Sequence, residues 1–190
     1  MYNSSFKGEV CSHRHAFFLD NFVRRLFQNP KKILGPYVKP GDTVIDLGCG
    51  PGYFSVDMAE MVGDRGRVFA VDLQKEMLAK VARKAALKSL DRIIHTHQCT
   101  QADIGLDTEL QADFILAYYM VHETLDRERF LSQVNGLLSP AGRFLIVEPP
   151  IHVSARTFEA IIRSALDCGF EIKDRPKRKG GKSILLGKTA

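Results

Sequence analysis

Val44-Ile45-Asp46-Leu47-Gly48-Cys49-Gly50-Pro51-Gly52 joins a short apolar run to a stretch of helical spacing through three glycines in five positions. A run that is apolar on both faces suits a buried parallel strand, and glycines directly after it let a ligand approach the backbone where no Cβ intervenes. The turn, with Asp46 at the strand end, therefore marks the carboxyl edge of a sheet as the ligand edge. A dinucleotide turn has the spacing GxGxxG and aims a helix N-terminus at a pyrophosphate. Here the spacing is GxGxG behind a carboxylate, which suits an ammonium group better than a diphosphate. The expected ligand is amino-acid-like and cationic.

Outward from that turn, strand-like and helix-like periods alternate, which implies a parallel sheet. Strands are expected at Thr43 to Leu47, Arg67 to Val71, Ile93 to Gln98, Phe114 to Tyr118 and Arg143 to Val147. Helices are expected at Tyr53 to Met61, Lys75 to Leu87 and Arg127 to Leu138, the last broken by Ser139-Pro140-Ala141-Gly142. Ser154 is placed to cap a further helix through Leu166, with Gly169 as its stop. The closing strands, Phe170 to Lys173 and Ser183 to Leu186, are too close for a helical crossover and should pair as an antiparallel hairpin. Upstream, His15 to Phe27 carries Phe17, Phe18 and Phe22 at helical spacings, and Asn29-Pro30 opens a short helix through Leu34. Residues 1–40 thus read as an N-terminal helical cap and 41–190 as the core of a single domain.

Composition narrows the class. The 190 residues are 45% apolar and 26% charged, values of a globular chain and not of a disordered one. The net charge of +5 invites a nucleic-acid reading, but between Lys173 and Lys188 seven basic residues face one acidic one, so the excess is local. No apolar run approaches the ~20 residues of a membrane span, no secretory leader pattern opens the chain, and the four cysteines form no CxxC pair. A cytoplasmic setting without membrane attachment is expected. His95, His97 and Cys99 share a strand face and Cys11, His13 and His15 cluster, yet neither group offers a full ligand set, so no metal is expected.

Two more strand ends carry carboxylates. Asp72, about twenty residues past the glycines, is placed to chelate ribose hydroxyls, with Leu73 against an adenine face. Asp103, in Gln101-Ala102-Asp103-Ile104, is placed to accept from an adenine amino group. With Asp46 these residues form a strip for a nucleoside with a positive tail.

On VIDLGCGPGYFS (Val44 to Ser55), VFAVDLQKEML (Val68 to Leu78), Gln101 to Ile104, ADFILAYYMVHE (Ala112 to Glu123) and LLSPAGRFLIVEPP (Leu137 to Pro150), the chain resembles a class I S-adenosylmethionine-dependent methyltransferase. The resemblance implies a Rossmann-like three-layer α/β sandwich whose seven-stranded, mainly parallel sheet has the order 3-2-1-4-5-7-6, with strand 7 antiparallel. It implies that Asp46, Gly48, Gly50 and Gly52 surround the methionine moiety, with the backbone of Ala117 and Tyr118 on its ammonium group. It puts Asp72 on the ribose, Leu73 beside the adenine, and Asp103 and Ile104 on the adenine edge; Tyr53 is placed to close over the cofactor or to pack helix on sheet. Ala117-Tyr118-Tyr119-Met120 stands where similar proteins acting on amino groups of bases or side chains carry (Asp/Asn)-Pro-Pro-(Tyr/Phe), which disfavours that group.

Methyl transfer from a sulfonium needs no enzyme nucleophile, so Cys49 reads as a small residue that fits the turn. The protein's part is positioning, with proton removal where the acceptor holds one. Tyr119, His122, Glu123, Glu148 and His152 are the candidate bases, and His122 and Glu148 are favoured as the catalytic pair. The expected acceptor is a small molecule and the expected state a monomer or homodimer. Three rivals are methylation of RNA or protein docked through the basic loop around Lys177, Arg178 and Lys179, a non-catalytic S-adenosylmethionine-binding protein, and a nicotinamide-dependent oxidoreductase. The GxGxG turn argues against the last.

Overall fold

A computed structural model describes residues 28–177 and 181–189. The expected helix at His15 to Phe27 and the Cys11, His13 and His15 cluster lie outside the described residues. Helix α1 (Pro30–Leu34) starts where Asn29 caps it by accepting the Lys32 N–H, with Pro30 at the first helical position.

Seven strands form one sheet: β1 (Thr43–Leu47), β2 (Arg67–Asp72), β3 (Ile94–Gln98), β4 (Ala112–Tyr118), β5 (Leu138–Glu148), β6 (Phe170–Asp174) and β7 (Lys182–Lys188). Their order is β3-β2-β1-β4-β5-β7-β6, as expected. The pairs β1/β2, β1/β4, β2/β3 and β4/β5 are parallel, while β7 runs antiparallel to both β5 and β6. Every residue of β1 is buried, which accounts for its unbroken apolar run around Asp46. The edge strands β3 and β6 carry exposed polar side chains, a common guard against edge pairing.

Helices α2 (Ser55–Val62) and α3 (Lys75–Leu87) cover one face of the sheet, and α4 (Arg127–Leu137) and α5 (Ala155–Asp167) the other. On α5, capped by Ser154, Phe158, Ile161, Ile162 and Ala165 form the buried stripe. Each of its larger side chains contributes roughly 1.5–3 kcal/mol by leaving water. Two boundaries depart from the spacing. β5 begins at Leu138, five residues before the expected Arg143, because the ladder steps from Ala112↔Leu138 to Phe114↔Arg143 and so loops Ser139 to Gly142 out as a bulge opposite Asp113. Helix α3 ends on Ser89 in the left-handed region (φ 56°), with Leu90 N–H returning to Ala85 O, a Schellman closure without its usual glycine.

β1 has β2 on one side and β4 on the other, so the chain's direction of travel across the sheet reverses between β1 and β4. In open α/β sheets ligands bind beyond the carboxyl ends of the strands at such a point.

Candidate functional site

A cleft of about 210 Å³ opens at that place, floored by the glycine turn after β1 and walled by the ends of β2, β3 and β4 and the start of α4. The turn is held from several sides. Cys49 N–H donates to Val71 O, Gly52 N–H to Cys49 O, and Lys84 on α3 donates to Pro51 O at 2.8 Å. Gly48 (φ 65°) and Gly50 (φ 53°) both adopt backbone that L side chains rarely reach. A Cβ on Gly48 would meet Met120 at 3.0 Å, whereas one on Gly50 would meet nothing within 4 Å, so Gly50 presents open backbone to the cleft.

The acidic strip is present. Asp46, 2% exposed, accepts from Ser55 Oγ at 2.6 Å, which turns its carboxylate toward the head of α2. Asp72, 8% exposed, accepts Gly50 N–H on Oδ2 at 2.8 Å and Gln74 N–H on Oδ1 at 2.9 Å. Burial pushes its pKa up, and the backbone N–H groups of Gln74, Gly50 and Leu73 oppose that push. The sequence does not foretell this clamp: the carboxylate expected on a ribose also pins the glycine turn. Leu73 and the buried Met77 of α3 line the same wall.

Beyond β3, Asp103 is exposed on the cleft rim and accepts Gly105 N–H on Oδ1 at 2.9 Å. Ile104 is buried, and its N–H already donates to Gln133 Oε1 at 2.8 Å, while Gln133 Nε2 donates to Ala102 O. Gln133 on α4 is thus a cleft residue that sequence reasoning missed, being one polar residue on a helix with no local signature. On β3, His97 has its ring Nε2 at 3.0 Å from Ile104 O, and His95 packs beside Phe69.

At the end of β4, Ala117 is sealed between Leu47 and Ile146 in the ladder, and Tyr118 is the first of its residues to line the cleft. Tyr119 follows with φ 64°, a left-handed conformation uncommon for a non-glycine residue and frequent at functional sites. This twist puts its ring 4.4 Å from Tyr118, and Tyr118 lies 4.6 Å from Phe54. Tyr53 lines the cleft and is 2% exposed against the core, with its hydroxyl donating to Gln28 O at 2.7 Å. Gln28 Nε2 in turn donates to Tyr119 Oη at 3.0 Å, tying the turn to the β4 wall.

The favoured catalytic pair meets. Fully buried Glu148, at the end of β5, holds His122 twice, accepting its backbone N–H on Oε1 at 3.1 Å and lying 2.5 Å from its ring Nδ1 through Oε2. The Glu148 contact raises the imidazole pKa above its usual value, and desolvation only partly offsets it. Neither residue is on the cleft lining; the neighbour that is, Glu123, has Oε1 3.9 Å from His122 Nε2. Buried Cys49 donates its thiol to Gly50 O, and burial raises its pKa far above the ordinary thiol value, which leaves it a poor nucleophile.

Residues 38–174 match the family model described as a methyltransferase domain. The chain belongs to this methyltransferase family. Its similar proteins include the chloroplastic 2-phytyl-1,4-beta-naphthoquinone methyltransferase of Arabidopsis thaliana, 30% identical over 112 residues covering 58% of this chain and 42% of that protein. Another is a ubiquinone/menaquinone biosynthesis C-methyltransferase of Teredinibacter turnerae, 32% identical over 114 residues, 58% of this chain and 44% of that one. The matched stretch spans less than half the length of these curated relatives. In fold, the domain is similar to a S-adenosylmethionine-dependent methyltransferase from Aquifex aeolicus, with TM-score 0.83 and 21% identity over 93% of this chain and 98% of that one. The architecture is thus the Rossmann-like methyltransferase fold.

The residues present fit the family's cofactor. The Asp72 carboxylate is held by backbone N–H groups on both oxygens and keeps acceptor capacity for a ribose hydroxyl, open Gly50 leaves room for an amino-acid tail, and the cleft is lined by carboxylates that suit a cation. No helix among the described residues is long and apolar enough to cross a membrane.

Proposed function

We propose that this methyltransferase domain binds S-adenosylmethionine in the β1–β4 cleft and methylates a small-molecule acceptor. The observation that carries the reading is the double clamp on Asp72, a buried carboxylate held at the cleft floor by Gly50 and Gln74 N–H groups and so preorganised for two vicinal hydroxyls. When bound, the cofactor supplies an activated methyl group on a sulfonium, so the domain's residues need only hold the two reactants in line and exclude water. Tyr118, Tyr119, Met120 and Phe130 form an apolar wall suited to a small ring-bearing or aliphatic acceptor, in keeping with the quinone methyltransferases among its relatives. Glu148 orients His122 and strengthens its basicity, which equips His122 to take a proton from an acceptor that reaches past Glu123. Asp46 and Gly48 shape the tail end of the site with Gly52 holding the turn behind them, the backbone at Tyr118 faces its ammonium while Ala117 stays sealed in the ladder, and Leu73, Asp103 and Ile104 line the adenine end.

A small acceptor is favoured over a macromolecular one because three basic residues flanking the loop are already engaged, Arg178 and Lys179 lying outside the described residues. Arg175 pairs with Glu159 at 2.7 Å, Lys173 pairs with Glu171, and Lys182 donates to Pro150 O and Val153 O. The thiols of Cys49, Cys99 and Cys168 are free, in keeping with a reducing, cytoplasmic setting. Thermal shift and calorimetry with S-adenosylmethionine, S-adenosylhomocysteine and NAD test the reading. Stabilisation by the first two is expected; binding of NAD alone, or of none of the three, overturns it.

A further inference from the structure

Among the described residues that line the cleft, five are carboxylates (Asp46, Asp72, Asp103, Glu123 and Asp126) and none is Lys, Arg or His. Four of the five are held by donors. Ser55 Oγ serves Asp46, the backbone N–H groups of Gly50 and Gln74 serve Asp72, Gly105 N–H serves Asp103, and Arg129 N–H serves Asp126 at the head of α4. Glu123 differs. It sits on the turn after β4, its nearest charged neighbour is His122 Nε2 at 3.9 Å, and its side chain accepts no hydrogen bond among the described residues. His122 cannot neutralise it fully, because that imidazole is already matched by Glu148 at 2.5 Å.

We infer that Glu123 is the residue by which the cleft tells the charged methyl donor from its uncharged product, favouring the sulfonium and releasing the thioether. This rests on the reading of the cleft as the S-adenosylmethionine site. On transfer the methyl C–S bond breaks with its electron pair remaining on sulfur, while the acceptor's pair forms the new bond to carbon, so the ligand loses one positive charge. On this inference Glu123, a half-buried carboxylate of the cleft lining, is the group that faces that position and loses its partner at the same moment. The product is left beside an unscreened negative wall, and its departure is favoured. The burial that raises the Glu123 pKa is the same low-polarity setting that lengthens the reach of its charge.

The test needs no acceptor. S-adenosylmethionine and S-adenosylhomocysteine are titrated by calorimetry at pH 7.5 into the wild-type chain, Glu123→Gln, and the exposed control Glu109→Gln, with folding checked by circular dichroism. The isosteric amide in Glu123→Gln is expected to weaken S-adenosylmethionine binding about fivefold to tenfold, as removal of one nearby charge at intermediate dielectric predicts. Binding of S-adenosylhomocysteine should stay within about twofold, and Glu109→Gln should change neither. An unchanged ratio of the two affinities in Glu123→Gln overturns the inference, as does an equal loss for both ligands, which would mark Glu123 as a purely structural residue. Failure of the wild-type chain to bind either ligand would instead sink the cofactor reading itself.

Discussion

Replacing Asp72 by alanine removes two acceptors at once. The Gly50 and Gln74 N–H groups, at 2.8 and 2.9 Å from its oxygens, would lose their partners at a site where the side chain they serve is 8% exposed. Leaving two such donors poorly satisfied costs about 2–4 kcal/mol together, which for a domain of this size lowers Tm by roughly 5–15 °C. The effect on ligand affinity is separate. Two ribose hydroxyls donating to an ionised carboxylate contribute about 3 kcal/mol together, or about 100-fold in Kd. Scanning calorimetry measures the first quantity and isothermal titration with S-adenosylmethionine, on protein held well below its melting point, the second. Asp72→Asn separates them further. Its shape is retained, yet its amide NH2 must face one of the two N–H donors, so its Tm should fall between those of wild type and Asp72→Ala. A folded Asp72→Ala protein with unchanged Kd refutes the ribose assignment, and one with unchanged Tm refutes the clamp.

Two further outcomes are expected. Gly48→Ala should damage the fold, because alanine there carries left-handed strain and drives its Cβ to 3.0 Å from Met120, whereas Gly50→Ala should cost only the strain, about 1–2 kcal/mol, and act mainly on cofactor affinity. Paired melting and titration curves that fail to separate the two variants would argue against Gly50 as the open floor. For pH, the Glu148 contact raises the folded-state pKa of His122, so its stabilisation is complete below about pH 6.5 and is lost as pH rises through the raised value. Wild-type Tm measured from pH 6 to 9 should therefore fall more steeply than that of His122→Gln, and superimposable slopes would show that the pair is not coupled to folding.

Elements decided by near neighbours are legible in the amino-acid order itself. Strand β1 and helix α3 have the bounds that their spacing predicts, Thr43–Leu47 and Lys75–Leu87, because an apolar run and a propensity-rich amphipathic stretch are local patterns. Ser139 to Gly142 shows where such patterns stop: proline and glycine signal a break, and a break occurs, but pairing with β4 turns it into a bulge inside a longer strand. At Ser89, helix closure forces a left-handed backbone on a residue that advertises nothing of the kind.

The candidate site divides the same way. The order of strand, glycine turn and helix, and the placing of Asp46 and Asp72 at strand ends and of Asp103 in the loop after β3, were determined by the sequence alone, since each depends on residues within a turn or two of its neighbour. Only the tertiary structure decided that Asp72 clamps Gly50 across 22 positions of chain, that Gln133 occupies the Ile104 N–H, and that of two adjacent residues Glu123 lines the cleft while His122 turns to Glu148. Those outcomes depend on which way a side chain leaves the backbone. At the end of β4 that direction is set by the left-handed Tyr119 and by β5 alongside it, a long-range constraint that no local period encodes.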